Sequence, residues 1–331
     1  MELIQKRGVE EKINFFSLAK QVLPELPDWS NDMPYQVKRM AVKDAVDAFF
    51  TAIKLLKSGH IKHFQLSFRS VKIPTQSCYI PKSAIKTKGI YPTLLGPMKY
   101  SESLPEEPMD SRLLKENGKY YLSVPYKVTI ANDESQVDKV VALDPGIRTF
   151  LSGYSNESAF KLGEGDFKRL TRLCLTLDKL IGLRAVKDCP KDRRRRLKNA
   201  IFRIRDRIIN LTKELHFKCA KFLTDNFDVI LMPSFETSDM VKRAGRKIGR
   251  KTVRSMLTFS FYQFTQRLKH VATQKHKRII EVNESYTSKT ASWTGEVVNI
   301  GSSKFITSQN QTVDRDLNGA RGIYLRALVD R

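Results

Sequence analysis

The sequence has few cysteines and no long apolar run, and both shortages narrow what the protein can be. Its four cysteines, Cys78, Cys174, Cys189 and Cys219, are scattered without a CxxC pair. This spacing favours a reducing environment without disulfides, and it offers no cysteine set for zinc. No stretch reaches the roughly 18 apolar residues of a membrane-spanning helix, and the first residues contain no apolar core of a secretory signal. We therefore expect an intracellular protein that does not bind membranes.

Acidic residues are scarce beside basic ones. Asp and Glu number 35 against 59 Lys and Arg, a formal net charge of +24 over 331 residues. Such an excess favours a polyanionic partner, because each neutralised phosphate releases condensed counterions. The charge is clustered, and we predict nucleic-acid contacts at Arg193, Arg194, Arg195, Arg196, Lys247, Arg250, Lys251 and Arg254. A basic, merely solvated face is the alternative for both clusters, and neither has the aromatic-faced pattern of membrane-surface helices.

The first part of the chain changes its apolar period near residue 60. Residues 33–58 repeat apolar side chains at helical spacing and end at Gly59, which predicts an amphipathic helix. Phe64, Leu66 and Phe68 then alternate with polar residues, which predicts a half-buried strand. Further strands are expected at 77–80 and 120–128. Residues 61–136 are therefore predicted to form a small, mainly β module.

From residue 137 onward, predicted strands alternate with predicted helices, which indicates an α/β domain. Two long helices are expected within 167–226, where apolar residues at spacings of three and four predict an antiparallel helical hairpin. Cys174 and Cys219 fall on apolar helix positions and are interpreted as core thiols. The remaining predicted elements are strands at 139–143, 229–232 and 279–284, one strand within 148–164, and helices at 255–274 and 316–328.

Three carboxylates stand at the ends of predicted elements in this domain. Asp144 ends an apolar strand, Glu284 ends another, and Asp316 begins the last helix. A carboxylate that continues an apolar face is costly unless it binds a cation. Three that converge would make an oxygen site suited to Mg²⁺ or Mn²⁺, and two ions about 4 Å apart could hold the attacking and leaving oxygens of a phosphodiester. Taken singly, each could instead be a turn residue, a loop residue or a helix N-cap.

Four stretches resemble a known family in order and interval. VVALDPGIRTFLSGYS at 140–155 resembles the first RuvC motif of TnpB and Fanzor proteins, and VILMPSFETSDMVKR at 229–243 resembles their second region. NESYTSKT at 283–290 resembles the stretch before their zinc finger, and DRDLNGARGIYLRAL at 314–328 resembles the third RuvC motif. The resemblance extends over roughly residues 62 to 331.

The resemblance implies an α/β RuvC (RNase H-like) nuclease domain at 137–331 with a helical hairpin insertion at 167–226. It implies a wedge β-barrel at 61–136 and part of a helical recognition region at 1–60. It implies a transposon-derived, RNA-guided DNA endonuclease with Asp144, Glu284 and Asp316 as catalytic ligands of two Mg²⁺ or Mn²⁺ ions. The implied partners are a transposon-encoded guide RNA and double-stranded target DNA, bound by a monomeric protein in a ribonucleoprotein. The expected location is the nucleus of a eukaryotic host, or otherwise the cytoplasm or nucleoid.

The sequence departs from the family pattern at three places. Many TnpB proteins carry a catalytic Glu where this chain has Pro233. Fanzors and a subset of TnpB proteins lack that Glu as well and use a later one, whose position matches Glu284 here. Glu236 is the nearer alternative. The zinc-finger cysteines correspond to Ala291, Thr294, Thr307 and Asn310, so no structural zinc is expected in the degenerate loop at 287–313. The amino-terminal part is also short for a full recognition region.

These departures leave several functional hypotheses open. The leading one is an active RNA-guided nuclease. A guide-dependent DNA-binding protein without cleavage is the second. Loss of the zinc-finger cysteines and the short amino-terminal part favour it, whereas retention of all three carboxylates argues against it. A decayed or trimmed transposon protein and a guide-independent nuclease are the others.

Overall fold

A computed structural model describes residues 14–67, 73, 75–129, 139–233, 241, 248–282, 289–299 and 303–329. The chain divides into two compact units, Met1–Thr129 and Ile130–Arg331. Among the described helices, none is long and apolar enough to cross a lipid bilayer.

The described part of unit 1 contains two longer helices, one short helix and two small antiparallel sheets. Helix α1 is Phe15–Val22 and α2 is Tyr35–Lys57, close to the predicted 33–58. The strands and the remaining short helix are β1 (Thr75–Ile80), β2 (Ile85–Lys86), β3 (Gly89–Ile90), α3 (Pro92–Leu95), β4 (Ser111–Glu116) and β5 (Lys119–Ser123). Strands β1, β4 and β5 form one sheet, and β2 pairs with β3. The predicted β content is therefore confirmed, whereas closure into a barrel stays a prediction.

The strand predicted at residues 64–68 is wrong for its described part. Residues 61–67 form no strand, yet Phe64 and Leu66 pack against the apolar cluster between α1 and α2. The alternation of apolar and polar residues thus reflects one-sided burial on helices rather than pairing in a sheet. Strand β5 is also shorter than predicted, ending at Ser123.

Unit 2 is built on one mixed sheet of five strands. They are β6 (Val140–Pro145), β7 (Leu151–Tyr154), β8 (Ala159–Leu162), β9 (Val229–Pro233) and β10 (Arg278–Val282). The order across the sheet is β10-β9-β6-β7-β8, with β6, β9 and β10 parallel and β7 and β8 antiparallel to their neighbours. The α/β architecture predicted for this part is confirmed, although 148–164 holds two strands instead of one.

Helices cover both faces of this sheet. On one face lie α4 (Asp166–Ala185), α5 (Lys191–Asn226), α6 (Arg250–Phe259) and α7 (Phe261–Gln274). On the other face lies α8 (Arg315–Val329), with the small hairpin β11 (Phe305–Ser308) and β12 (Gln311–Asp314) preceding it. Helices α4 and α5 pack along each other, joined by residues 186–190, and Cys174 and Cys219 are buried free thiols as predicted. Such two-sided cover explains why β6 and β9 are almost wholly apolar.

The helix predicted at 255–274 is instead two helices. It begins earlier, at Arg250, and breaks at Ser260, whose φ of 49° is left-handed. The break lets Phe259 and Phe261 both turn into the core, where each packs on the fully buried ring of Phe150. The aromatic spacing indicated a helix but could not reveal this bend.

A buried histidine lies in the same aromatic core. His216 on α5 is fully buried and stacks on Phe150 with ring centroids 5.5 Å apart. Its Nε2 lies 2.7 Å from the carbonyl oxygen of Phe259, and Arg267 Nη1 lies 2.8 Å from its Nδ1. Arg267 can only donate, so Nδ1 accepts and the Nε2–H donates to the carbonyl. Burial and the nearby guanidinium lower the pKa of His216 to about 4.

We predict that His216 makes the stability of unit 2 fall in mild acid. Its folded-state pKa of about 4 lies below the ordinary value of 6.5, so between these pH values the unfolded chain binds a proton that the folded chain does not. The free energy of unfolding should fall by about 1.4 kcal/mol per pH unit over this window, about 3 kcal/mol in all. Urea unfolding gives the free energy of unfolding of wild type and His216→Gln from pH 7.5 to 4. The difference between the two proteins at each pH isolates the contribution of His216. Parallel pH dependences of the two proteins would contradict the prediction.

Candidate metal and nucleic-acid site

Asp144 lies at the carboxyl end of the central strand β6. Strand alternation puts it on the same face as Val140 and Ala142, which pack against α8. Across the sheet it is paired with Ser152 of β7. Its side chain is half-buried, so a carboxyl group continues an apolar face, as the sequence predicted.

Helix α8 packs directly on this carboxylate through Gly319. A β-carbon at position 319 would overlap Oδ2 of Asp144 and lie 3.2 Å from its Cγ. Only a glycine therefore allows the helix to lie this close to β6. Glycine is otherwise unfavourable inside a helix, and its presence in DRDLNGARG was a signal of close packing that the sequence analysis did not use.

Asp316 stands one helical turn before Gly319, and residues three apart share a helix face. Asp316 is therefore on the side of α8 that meets the end of β6. The alternative role of helix N-cap is wrong for Asp316, because Asp314 performs it. Oδ1 of Asp314 accepts the backbone N–H of Asp316 at 3.0 Å and that of Leu317 at 3.3 Å. No residue that the structure describes forms a hydrogen bond or ion pair with the Asp316 carboxylate.

Glu284 and its alternative Glu236 lie outside the described residues, so their convergence with Asp144 stays a prediction. Strand β10 ends at Val282, which packs on the α8 face of the sheet. Pro233, at the position of the lost family glutamate, is buried at the end of β9 opposite Val282. Within the described part of the chain, no group of three or more His, Cys, Asp or Glu side chains could hold a metal ion.

The two described carboxylates fit a hard divalent cation. Both are half-buried and come from separate elements joined by the contact of Gly319 with Asp144. Carboxylate oxygens are the donors that Mg²⁺ and Mn²⁺ prefer. The Asp144 side chain occupies space that a β-carbon at position 319 would fill. Glycine has no β-carbon and therefore leaves this space to the carboxyl group.

We predict that Gly319→Ala destabilises the protein, although alanine is the better helix former. The added methyl must displace the Asp144 carboxylate or shift α8, which should cost about 1 to 3 kcal/mol. Gly182→Ala is the matched control, because Gly182 lies inside α4 and a β-carbon added there would have no other atom within 4 Å. This control should gain about 0.5 to 1 kcal/mol from helix propensity alone. Urea unfolding of both variants checks the contrast, and stabilisation by both changes would refute the close contact.

The segment that corresponds to the zinc finger is held by hydrogen bonds. Thr294 Oγ1 lies 2.9 Å from Ser308 Oγ, which donates to Glu296 Oε2 at 2.6 Å. Trp293 Nε1 donates to the Ser308 carbonyl at 3.3 Å. Of the four positions matched to family cysteines, Ala291 is fully buried and Thr307 pairs with Thr312 Oγ1 at 2.9 Å. Apolar packing and hydroxyl hydrogen bonds are therefore the contacts observed at these positions.

This segment is also joined to α8, through residues that the sequence analysis missed. Asn318, almost fully buried, accepts the N–H of Ser292 at 2.9 Å and donates to the carbonyl of Thr290 at 2.8 Å. Arg321 Nη1 donates to Ser292 Oγ at 2.9 Å. A buried amide bonded at both ends fixes the loop on the helix that carries Asp316. A polar residue on an apolar helix face was the only sequence signal for it.

We predict that the purified protein contains no stoichiometric zinc and that its 287–313 segment does not need the metal. The positions that would supply thiolates are Ala291, Thr294, Thr307 and Asn310, and none of these can form the short Zn–S bonds of a structural site. Elemental analysis and thermal unfolding with and without a zinc chelator measure both points. One equivalent of zinc that disappears when residues of this segment are changed would overturn the prediction.

The arginines of the first predicted nucleic-acid cluster differ in the protein groups that they already bind. Arg193, Arg194, Arg195 and Arg196 are all exposed at the start of α5. Arg194 already donates to the carbonyl oxygens of Val186 and Lys187, and Arg195 pairs with Asp192 at 3.5 Å. Those three contacts leave Arg193 and Arg196 as the more available cations of this cluster.

The described residues of the second cluster, which spans 247–254, also differ in the protein groups that they bind. Arg250 and Lys251 are exposed at the start of α6. Arg254 instead pairs with Asp178 and donates to the Cys174 carbonyl at 3.3 Å, so it joins α6 to α4. Lys247 lies outside the described residues. Contacts of both clusters with nucleic acid stay predictions.

Comparisons with known proteins find relatives that are named as a transposase or as TnpB-like proteins. Residues 261–323 match the family model "Cas12f1-like, TNB domain". The relative named "Putative transposase A625R" of Paramecium bursaria Chlorella virus 1 is 30% identical over 322 residues, which cover 91% of this chain and 71% of the relative. TnpB-like protein L770 of Acanthamoeba polyphaga mimivirus is 25% identical, and the alignment covers 86% of this chain and 56% of that relative.

Two solved structures resemble the chain more distantly. A CRISPR-Cas12f ternary complex gives a TM-score of 0.43, and a Cas12f1-sgRNA-target DNA complex gives 0.45, each at 15% identity. In both cases the match covers 66% of this chain and 45% of the other.

Proposed function

The chain belongs to the TnpB family, and from this membership we propose that it is an RNA-guided DNA endonuclease whose RuvC-type site uses two divalent metal ions. The observation that carries the proposal is the contact of Gly319 with Asp144. This contact brings the first turns of α8 to the carboxyl end of β6, so the two family carboxylates that the structure describes come from adjoining elements. A protein that only bound nucleic acid would not need to keep both carboxylates.

Three carboxylates are proposed to act together. Asp144 and Asp316 hold the metals from β6 and α8, and Glu284 is the third ligand, two residues beyond Val282 in the chain. When bound, Mg²⁺ or Mn²⁺ would supply charge stabilisation for the attacking and leaving oxygens of a phosphodiester. The roles of this chain's own residues are to position the ions and to offset their charge. The use of Glu284 in place of a glutamate at position 233 is a Fanzor-like arrangement.

The proposed partners are a guide RNA and double-stranded target DNA. In such systems base pairing supplies the sequence specificity, while the protein binds duplex shape and backbone. The net charge of +24 suits this division of labour, and Arg193, Arg196, Arg250 and Lys251 are the exposed cations proposed to contact phosphates. The wedge and recognition roles of unit 1, the monomeric state within a ribonucleoprotein and the nuclear or nucleoid location belong to the same proposal.

We predict Mg²⁺-dependent cleavage of DNA directed by a co-purifying RNA, and its loss in Asp144→Ala. Removing this carboxylate should lower cleavage at least about 100-fold, because a ligand loss disrupts the metal site rather than one contact. Binding of the guide and target should survive, since it rests on base pairing and the basic surface, and it should weaken steeply as salt is raised. The measurement compares cleavage and binding side by side after the bound RNA has been sequenced.

Glu214→Ala is the control for this experiment, because Glu214 is an exposed carboxylate on α5 that pairs only with Lys218 in the described contacts. It should cleave like the wild type. Guide-dependent binding without wild-type cleavage in Mg²⁺ or Mn²⁺ would overturn the nuclease proposal in favour of a binding protein. Absence of guide-dependent binding would instead indicate a trimmed or decayed transposon protein.

A further inference from the structure

One ion pair joins the outermost strand β8 to the beginning of α8. Lys161 Nζ lies 2.5 Å from Oδ2 of Asp314, and about a quarter of each side chain is exposed (25% and 24%). The other oxygen of the same carboxylate, Oδ1, accepts the N–H groups of Asp316 and Leu317. A single carboxylate therefore caps α8 and ties the helix to the sheet.

Lys161 and Asp144 belong to one row across the sheet. Lys161 is paired with Ser152, and Ser152 is paired with Asp144. Directly paired residues lie on the same face, and two strand spacings amount to about 10 Å. The hydrogen-bonded ladder therefore fixes the distance between the backbones of Lys161 and Asp144, and the Lys161 ammonium group itself is paired with Asp314. The ion pair connects the start of α8 to the frame that also holds Asp144.

The position of Asp316 depends on that connection. Since no described residue pairs with its carboxylate, the side chain is placed by the backbone of the first turn of α8. Ligands of a working site must be held within about 0.5 Å of the required geometry by their supporting residues. The supports of the first turn include the Asp314 cap at its start, the buried amide of Asn318, and the contact of Gly319 with Asp144. Among these supports, the Asp314 carboxylate is itself oriented by Lys161.

We propose that Lys161 is a positioning residue for the metal site, which acts through Asp314 to hold Asp316 beside Asp144. The inference rests on the proposed function, because the metal ions are those that Asp144 and Asp316 would bind. Without the lysine, Asp314 loses the charge that orients one of its oxygens, and the first turn of α8 gains freedom. Metal affinity should then fall while the apolar contacts of α8 with the sheet keep the domain folded.

The chain offers a matched control at the opposite end of the sheet. Lys277 Nζ lies 2.7 Å from Oδ1 of Asp228, with side chains 22% and 23% exposed. Oδ2 of Asp228 accepts the backbone N–H of Lys139 at 3.1 Å. This pair therefore has the same chemistry, burial and double role as the first, but it lies at the amino ends of the parallel strands, away from Asp144.

The test measures Mn²⁺ binding to the full chain by electron paramagnetic resonance, beside thermal unfolding. Lys161→Met should raise the Mn²⁺ Kd about tenfold, as loss of a supporting residue around a metal site commonly does. Lys161→Arg should restore most of the affinity, and Lys277→Met should leave it unchanged. Both methionine variants should lose thermal stability to a similar extent.

The outcomes separate the two proposals. Equal Mn²⁺ affinity in wild type and Lys161→Met, or an equal loss in Lys161→Met and Lys277→Met, would overturn the positioning role while leaving the nuclease proposal intact. A wild-type protein that binds Mn²⁺ no better than Asp144→Ala would overturn the proposed metal site, and the positioning role with it.

Discussion

The packing of α8 on the sheet is constrained by a carboxyl group at the end of an apolar strand. Asp144 continues the face of Val140 and Ala142, which is covered by α8. A polar group in such a place is unfavourable unless it is paired, and a side chain on the covering helix would leave no room for it. Gly319 resolves this steric conflict. On our proposal, the same carboxyl group is one of the ligands of the cations that the site binds.

Helix α8 is consequently held by polar contacts at its first turns and by apolar contacts further along. Asp314 caps its start and Asn318 joins it to the 289–299 segment. Beyond the glycine, Ile323 and Tyr324 pack on the sheet. The polar end is the end that carries Asp316. This division allows the site to be adjusted by single polar substitutions while the apolar end keeps the helix in place.

The segment at 289–299 is held by hydrogen bonds that several residues share. Thr294 and Glu296 bond to Ser308, and the buried amide of Asn318 joins the segment to α8. Each neutral hydrogen bond contributes only about 1 kcal/mol. The network therefore holds the segment through several bonds, and its partners come from both the loop and the helix beyond it.

The sequence alone determined the α/β character of unit 2, the basic clusters, the buried thiols and the two carboxylates at element ends. These follow from local rules, since apolar period, charge and element termini are visible along the chain. The same rules misread residues 64–66, because alternation records burial on one side and not the partner that provides it. They also missed the break at Ser260, which follows from the need to turn Phe259 and Phe261 onto Phe150.

Only the tertiary structure decided which distant residues support the site. The row of Asp144, Ser152 and Lys161 follows from the register of the sheet, and the packing of α8 brings Lys161 to Asp314, which lies 153 residues later in the chain. Register depends on strand pairing, and no residue in the sequence identifies its partner. The carboxylates could thus be named as candidates from their place at element ends and from the family resemblance. The lysine that pairs with Asp314 could be found only from the packing of the folded chain.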